Sequence, residues 1–366
     1  YKTNIGVDFQ VLNKRLAVSA EYYNEKNREM LMNIKQSVPS TVGTQSAAVN
    51  LGEMNSWGWE LSVNWRDKIG KDFKYRIGLN TGYRDNEVLV MDWVTGNSLY
   101  RQITKGHRTD MGLWGMQCIG MFRSFQDINE YFDMYMKKED GSYGTYMGMT
   151  KEQVRPGMLI YKDVRGALQE NGTYAGPDHN VDEELDQVQL SNRTNPYGFT
   201  INAGAEWKGI SLTAQFGASW GGYTVVPSAA LKPNGSLEYC NMPSFWNPDN
   251  MFVYQDIYDG SGNLLMEANR DAQYPNLAYS NVNAVTSSFW RVSAARVALN
   301  RLTLAYTIPS SLYKKFGINN IRVNVTGQNV LNFYNPYPDK FMNPMAGTYG
   351  SYPNLRKWTV GVNLSF

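Results

Sequence analysis

Apolar and polar residues alternate along this chain over unusually long stretches. Trp57, Trp59, Leu61, Val63 and Trp65 share one face, and Gly58, Glu60, Ser62, Asn64 and Arg66 the other. The next stretch sets Phe73, Tyr75, Ile77, Leu79, Thr81 and Tyr83 against Lys74, Arg76, Gly78, Asn80, Gly82 and Arg84. Phe199, Ile201, Ala203, Ala205 and Trp207 oppose Thr200, Asn202, Gly204, Glu206 and Lys208, and Ile210 to Trp220 repeats the pattern. The last stretch puts Trp358, Val360, Val362, Leu364 and Phe366 on one side. A two-residue period sends successive side chains to opposite faces of a strand. Nine β-strands are therefore expected, at about 3–12, 15–30, 50–67, 73–90, 197–208, 210–223, 289–308, 319–333 and 355–366. Two further segments, near 113–124 and 154–163, flank a helical piece from Phe125 to Tyr135 and raise the upper count to eleven.

Alternation alone also fits a secreted sandwich, whose strands have one apolar face. Three features favour a membrane barrel. These runs reach 10 to 18 residues, against about 5–6 in globular sheets and about 9–11 for a tilted membrane strand. Aromatic residues bracket the apolar faces: Trp57 and Trp65, Phe199 and Trp207, and Trp358 and Phe366 are each eight residues apart. At about 3.3 Å per residue that spacing covers roughly 26 Å along a strand, or about 20 Å after tilting, close to the apolar band between aromatic girdles. Finally, short links (Asn13-Lys14, Asp67 to Asp72, Lys208-Gly209) alternate with long ones at about 31–49, 91–112, 164–196, 224–288 and 334–354. Outer-membrane barrels alternate periplasmic turns with extracellular loops in this way.

Composition narrows the picture further. No run approaches the roughly 18 apolar residues of a membrane helix, so a membrane-spanning form has to be a closed barrel in which every backbone group is paired. The chain has 35 basic and 33 acidic residues, which leaves no electrostatic footprint for nucleic acid. Tyr1-Lys2-Thr3-Asn4 opens in mid-strand without Met or signal peptide, so the chain reads as part of a longer barrel, with strands expected before Tyr1. Cys118 and Cys240 lie in different contexts and read as two separate thiols, with a disulfide left open.

Near the C-terminal end the chain carries Arg301-Leu302-Thr303-Leu304-Ala305-Tyr306-Thr307-Ile308-Pro309, then Gly317-Ile318, then Ile321-Arg322-Val323-Asn324-Val325-Thr326-Gly327-Gln328-Asn329-Val330, and a closing aromatic strand to Phe366. Asn50-Leu51-Gly52 with Gly58-Trp59-Glu60-Leu61-Ser62-Val63-Asn64-Trp65, the residues Pro156-Gly157, Tyr161, Asp163 and Gly166, and Asn195-Pro196-Tyr197-Gly198 continue the series upstream. In this order and spacing the chain resembles the SusC/RagA family of TonB-dependent outer-membrane transporters over essentially its whole length. The resemblance implies an all-β fold: the C-terminal portion, about nine to eleven strands, of a 22-stranded plugged transmembrane barrel. Residues 1–366 would then be one part of a single barrel domain, with plug and N-terminal strands outside this chain. It also implies a SusD-like surface lipoprotein as lid, energy from the TonB complex, outer-membrane lipid around the wall, and oligosaccharide or oligopeptide as cargo. A passive outer-membrane channel or surface adhesin barrel is the alternative.

No catalytic constellation appears. His107 and His179 fall in expected loops without a nucleophile or ligand partner, and no phosphate-cradling glycine loop is present. The one metal candidate is calcium in the acidic loop, where Asp163, Asp178, Asp182 and Asp186 offer the oxygen donors a hard cation needs. The family resemblance implies a compact EF-hand-like stretch there. Arg165 stands where a side-chain ligand is expected, and residues 167–177 interrupt the run, which favours a solvated acidic loop. For ligand contact the candidates are Trp246, Tyr254, Tyr258 and Tyr274, set among Asn and Asp in the longest loop, since aromatic faces beside amides suit sugars or peptides. Asn80, Arg84, Gln215 and Arg322 fall on polar faces and read as contacts to a plug or a passing solute.

Overall fold

The structure is a computed structural model and describes residues 1–33, 41, 48–91, 99–103, 105–194, 196–232, 242–344, 349–350 and 352–366. Among them, nine long strands form one antiparallel sheet whose spatial order is the order of the chain. They are β1 (Lys2–Val11), β2 (Leu16–Asn33), β3 (Ala48–Ile69), β4 (Phe73–Val90), β5 (Tyr197–Trp207), β6 (Ile210–Trp220), β7 (Arg296–Thr307), β8 (Asn320–Tyr334) and β9 (Lys357–Ser365). Every neighbour is antiparallel, so links at one end of the sheet are turns (β1 to β2, β3 to β4, β5 to β6) or a short excursion (β7 to β8). All the long connections leave from the opposite end, called the loop end below.

Register carries the alternation across the whole sheet. Leu79 pairs with Val63 and Ile201, while Asn80 pairs with Ser62 and Thr200, so apolar rows meet apolar rows and polar meet polar. A slip of one residue would turn every side chain to the wrong face. Aromatics bracket the apolar rows. At the turn end Trp65 donates its indole N–H to the Tyr75 hydroxyl at 3.3 Å, beside Phe73. Toward the loop end Tyr83 stacks on Tyr197 at 5.6 Å, and Trp220 packs against Tyr197 and Phe199.

Two expectations change. The segment 289–308 is not one strand: β7 starts at Arg296, and Arg291–Ser293 pairs instead with Tyr223–Val225 off the main sheet. The break lies where Ala294 N–H turns to the Gly222 carbonyl and Ala295 N–H to Ser293 Oγ. The segments near 113–124 and 154–163 add no tenth or eleventh strand. Leu113–Met116 pairs with Gln187–Ser191, and Cys118–Met121 with Leu159–Tyr161, in two small separate sheets. The expected helix is present as α1 (Phe125–Tyr131), capped by Ser124 Oγ accepting from Asp127 N–H, and runs on as a π-turn to Met136.

The well-buried core lies in the loops. Sheet residues such as Ile77, Leu212 and Val360 are exposed on the apolar face. The connections β4–β5 and β6–β7 instead build a shared core around Phe122, Phe132, Tyr146, Tyr161, Val181 and Val282. A second cluster forms around Phe245 and Trp290.

Candidate functional site: the polar face and the loop assembly above it

Two surfaces on this chain could meet a solute. The first is the polar face of the sheet, where a broad cavity of about 760 Å³ is lined by Glu21, Glu60, Asn80, Arg84, Arg296 and Asn300 among others. Glu21 and Glu60 stand directly opposite each other across β2 and β3, with Asn4 Nδ2 donating to Glu21 at 2.8 Å. Asn80 and Arg84 therefore lie where the alternation put them. Gln215 donates to Asn202 on the adjacent strand β5 at 3.2 Å, and Arg322 on β8 reaches across β7 to Ser211 on β6 at 2.9 Å, so both are tied down on the same face.

The second surface is the loop assembly. Its two long connections are locked together by Asn283, a buried amide with no apolar role. Asn283 Oδ1 accepts the Leu159 N–H at 2.8 Å, and its Nδ2 donates to the carbonyls of Gly157 and Asn276 at 2.9 and 2.8 Å. Its own carbonyl accepts the Trp290 indole N–H. Buried polar groups must be satisfied, and here the satisfaction itself joins the two loops. Met116 continues the seam, donating to the Thr286 carbonyl at 2.8 Å and accepting from Ser288 N–H at 2.9 Å. Burial drives the Tyr131, Tyr146 and Tyr161 hydroxyls far above their usual range, so they act only as neutral groups. They donate to the carbonyls of Tyr161, Leu159 and Val282 respectively.

The four aromatic candidates part company. Trp246 and Tyr274 belong to the second core cluster: Tyr274 lies parallel to Trp290 at 5.9 Å, and Trp246 donates to the Ala230 carbonyl at 2.9 Å. Their rings hold the loop on itself. Tyr254 packs edge-on against Phe125 with the Arg270 guanidinium 4.5 Å from its ring. Tyr258 is exposed on a small hairpin, Ile257–Tyr258 with Leu264–Met266, beside exposed Leu264 and Leu265. It alone presents an open ring.

The aspartates do not converge as a cation cage. Among the described residues, no group of three or more His, Cys, Asp or Glu side chains is arranged to hold a metal ion. Backbone N–H groups take both oxygens of Asp163 and Asp186 and one oxygen each of Asp182 and Asp178. Asp163 accepts from Asp178 and His179, Asp186 from Val164, Arg165 and Asp182, Asp182 from Glu184 and Leu185, and Asp178 from Asn180. Arg165 turns to other partners, donating to the Leu185 and Gln187 carbonyls at 2.6 Å and lying 3.8 Å from the Tyr100 ring. Burial pushes Asp163 up to about 6 against the lowering pull of the His179 N–H, and the nearby Asp186 carboxylate adds to the rise. His179 itself donates from Nδ1 to the Tyr135 carbonyl at 2.8 Å, and His107 accepts from Val88 through its carbonyl. Cys118 is a free thiol raised by burial, and Cys240 lies outside the described residues.

No family model matches the chain. It is 24% identical to TonB-dependent receptor P3 of Formosa agariphila, over 99% of this chain and 34% of that protein. TonB-dependent receptor P39 of the same organism is 21% identical over a like share, 99% of this chain and 35% of the relative. A shorter match, 26% identical over 29% of this chain and 11% of the relative, links it to TonB-dependent receptor SusC of Bacteroides thetaiotaomicron. The chain thus spans about a third of the length of the curated relatives it matches end to end. Its fold superposes over its full length on 35% of a chain in the structure of the RagAB peptide transporter, with a TM-score of 0.64 and 18% identity. The SusC/RagA resemblance read in the motifs therefore holds over the whole chain, and the fold is that of part of a TonB-dependent barrel transporter.

Proposed function

We propose that this chain forms a section of the barrel wall, with its extracellular loops, of a TonB-dependent importer in a bacterial outer membrane. The observation that carries the reading is the division of the sheet into an apolar face bracketed by aromatics and a mainly polar face that borders the 760 Å³ cavity. Lipid suits the first and a solvated interior the second. The turns would then face the periplasm and the loop assembly the outside. Residues 1–366 would act as one piece of a single barrel domain that in whole has 22 strands and an internal plug.

No bond is made or broken in this process. The cargo is an oligosaccharide or oligopeptide, and the likeness to RagAB, a peptide transporter, favours the second. Exposed Tyr258 and partly exposed Tyr254 are the rings left to contact it. A SusD-like lipoprotein would close over the loops, and TonB, acting through parts outside this chain, would open the path from the periplasmic side. Uptake of labelled oligopeptide by cells with and without TonB tests the reading. Loss of uptake without TonB is expected, and persistence at the same rate would favour a passive channel.

A further inference from the structure

One link at the turn end is longer than the rest. β7 and β8 are joined by residues 308–319, which leave the sheet at Ile308, whose N–H donates to the Ile321 carbonyl at 2.9 Å. Next to it on the apolar face runs the row Tyr306, Val323 and Val362. The connection folds as two short 3-10 turns, Ser310–Leu312 and Lys314–Phe316, closed by Gly317 in the left-handed region at φ 73°. Tyr313 between the turns is buried, while Leu312 and Phe316 stand 68% and 76% exposed. Lys314 and Lys315 lie between those two side chains in the sequence, and among the described residues neither forms an ion pair. Acid is scarce in this part of the chain. From Ala272 to Phe366 the sequence has nine Lys and Arg and a single acidic residue, Asp339, which sits in the β8–β9 connection at the opposite end of the sheet.

We propose that this connection is an interfacial anchor: Leu312 and Phe316 enter the acyl boundary of the leaflet nearest the turns, and Lys314 and Lys315 meet its anionic phospholipid headgroups. Large apolar side chains interleaved with unpaired ammonium groups suit a bilayer surface, where the first reach the acyl chains and the second stay with phosphate. Continuity with the Tyr306–Val323–Val362 row favours lipid over a protein partner, because the segment leaves the sheet at the edge of its apolar face. The inference rests on lipid meeting that face.

The test is fluorescence quenching in the full-length, otherwise cysteine-free protein, reconstituted in bilayers of phosphatidylethanolamine and phosphatidylglycerol. Leu312→Cys and Phe316→Cys variants carry a thiol-linked fluorophore, with Lys71→Cys in the β3–β4 turn and Leu304→Cys on the apolar face as controls. Brominated acyl chains should quench the labels at 312 and 316, and aqueous acrylamide should quench them far less than the label at 71. K314Q/K315Q should reduce the lipid quenching at both positions. Acrylamide quenching equal to that at 71 overturns the proposal, as does lipid quenching unchanged by K314Q/K315Q. So does shielding from both quenchers, which would mark a protein partner. A label at 304 that brominated lipid fails to quench would sink the wall reading instead, so the two failures can be told apart.

Discussion

Trp358 lies across Gly327, its partner in the β8–β9 register, so closely that a β-carbon at position 327 would stand 2.7 Å from the indole. Ring and glycine fill one site on the apolar face, an arrangement that pins register at an aromatic and a missing side chain. Gly327→Val should displace the ring and cost about 1–3 kcal/mol, the usual range for overpacking. A lower temperature of heat-modifiable gel mobility would report it. W358A should relieve the clash, so the double variant should lose clearly less than the sum of the single ones. Strict additivity would mean the contact is absent.

Asn283 joins the two long connections through two side-chain hydrogen bonds, to Leu159 and Gly157, and a third ties it to Asn276 of its own connection. Asn283→Leu keeps the volume but strands the Leu159 N–H, at about 1–3 kcal/mol for a buried group left unpaired. The Gly157 and Asn276 carbonyls lose one donor each and keep the backbone N–H of Asn276 and Tyr279. Amide hydrogen exchange should quicken in both 116–161 and 276–290 while β5 and β6 keep their protection. Faster exchange in one connection alone would show that they are not coupled through this residue.

Asp163 gives the loop assembly a pH dependence. Its carboxyl sits at about 6 in the folded chain, above the ~3.9 of an unfolded aspartate, so the folded state holds the proton more tightly. The associated stability is fully present below about pH 4, declines as pH rises to about 6, and is level above that. Asp163→Asn should flatten the decline, measured as exchange protection of residues 178–187 against pH. A decline of unchanged slope would place its origin elsewhere. Millimolar calcium should leave that protection unchanged, because the four aspartates do not form a group arranged to hold a metal ion and backbone N–H groups hold both oxygens of Asp163 and Asp186. A gain of protection would show that the four aspartates reorganise around a cation.

The strands are legible in the sequence because two-residue alternation is a local signal, and the register keeps it residue by residue across the sheet. Trp57 to Trp65 and Phe73 to Tyr83 sort onto their faces by alternation alone. The loop assembly does not, because its core comes from contacts distant in sequence. Nothing around Asn283 distinguishes it from the many other loop asparagines, and Met116 meets Thr286 and Ser288 only after the fold forms. Trp246 and Tyr274 read as ligand contacts for a related reason. A connection of this length builds its own core, and aromatics such as Phe245 and Trp290 provide it. The acidic run is ambiguous in the sequence, since aspartates beside glycines and asparagines serve turn N–H groups as readily as a cation.

The proposed function depends on the two faces of the sheet meeting different surroundings, and accessibility along one strand tests that most directly. Spin labels at single cysteines from Ile77 to Tyr83, with Cys118 and Cys240 replaced by serine, would be read in the full-length protein in lipid bilayers. Collision with oxygen, which partitions into lipid, should peak at Ile77, Leu79 and Thr81. Collision with a water-soluble nickel chelate should peak at Gly78, Asn80 and Gly82, or fall there together with oxygen where a plug covers the face. Oxygen collision without a two-residue period, or peaking on the polar row, would contradict a wall with lipid on one side and a solvated interior on the other.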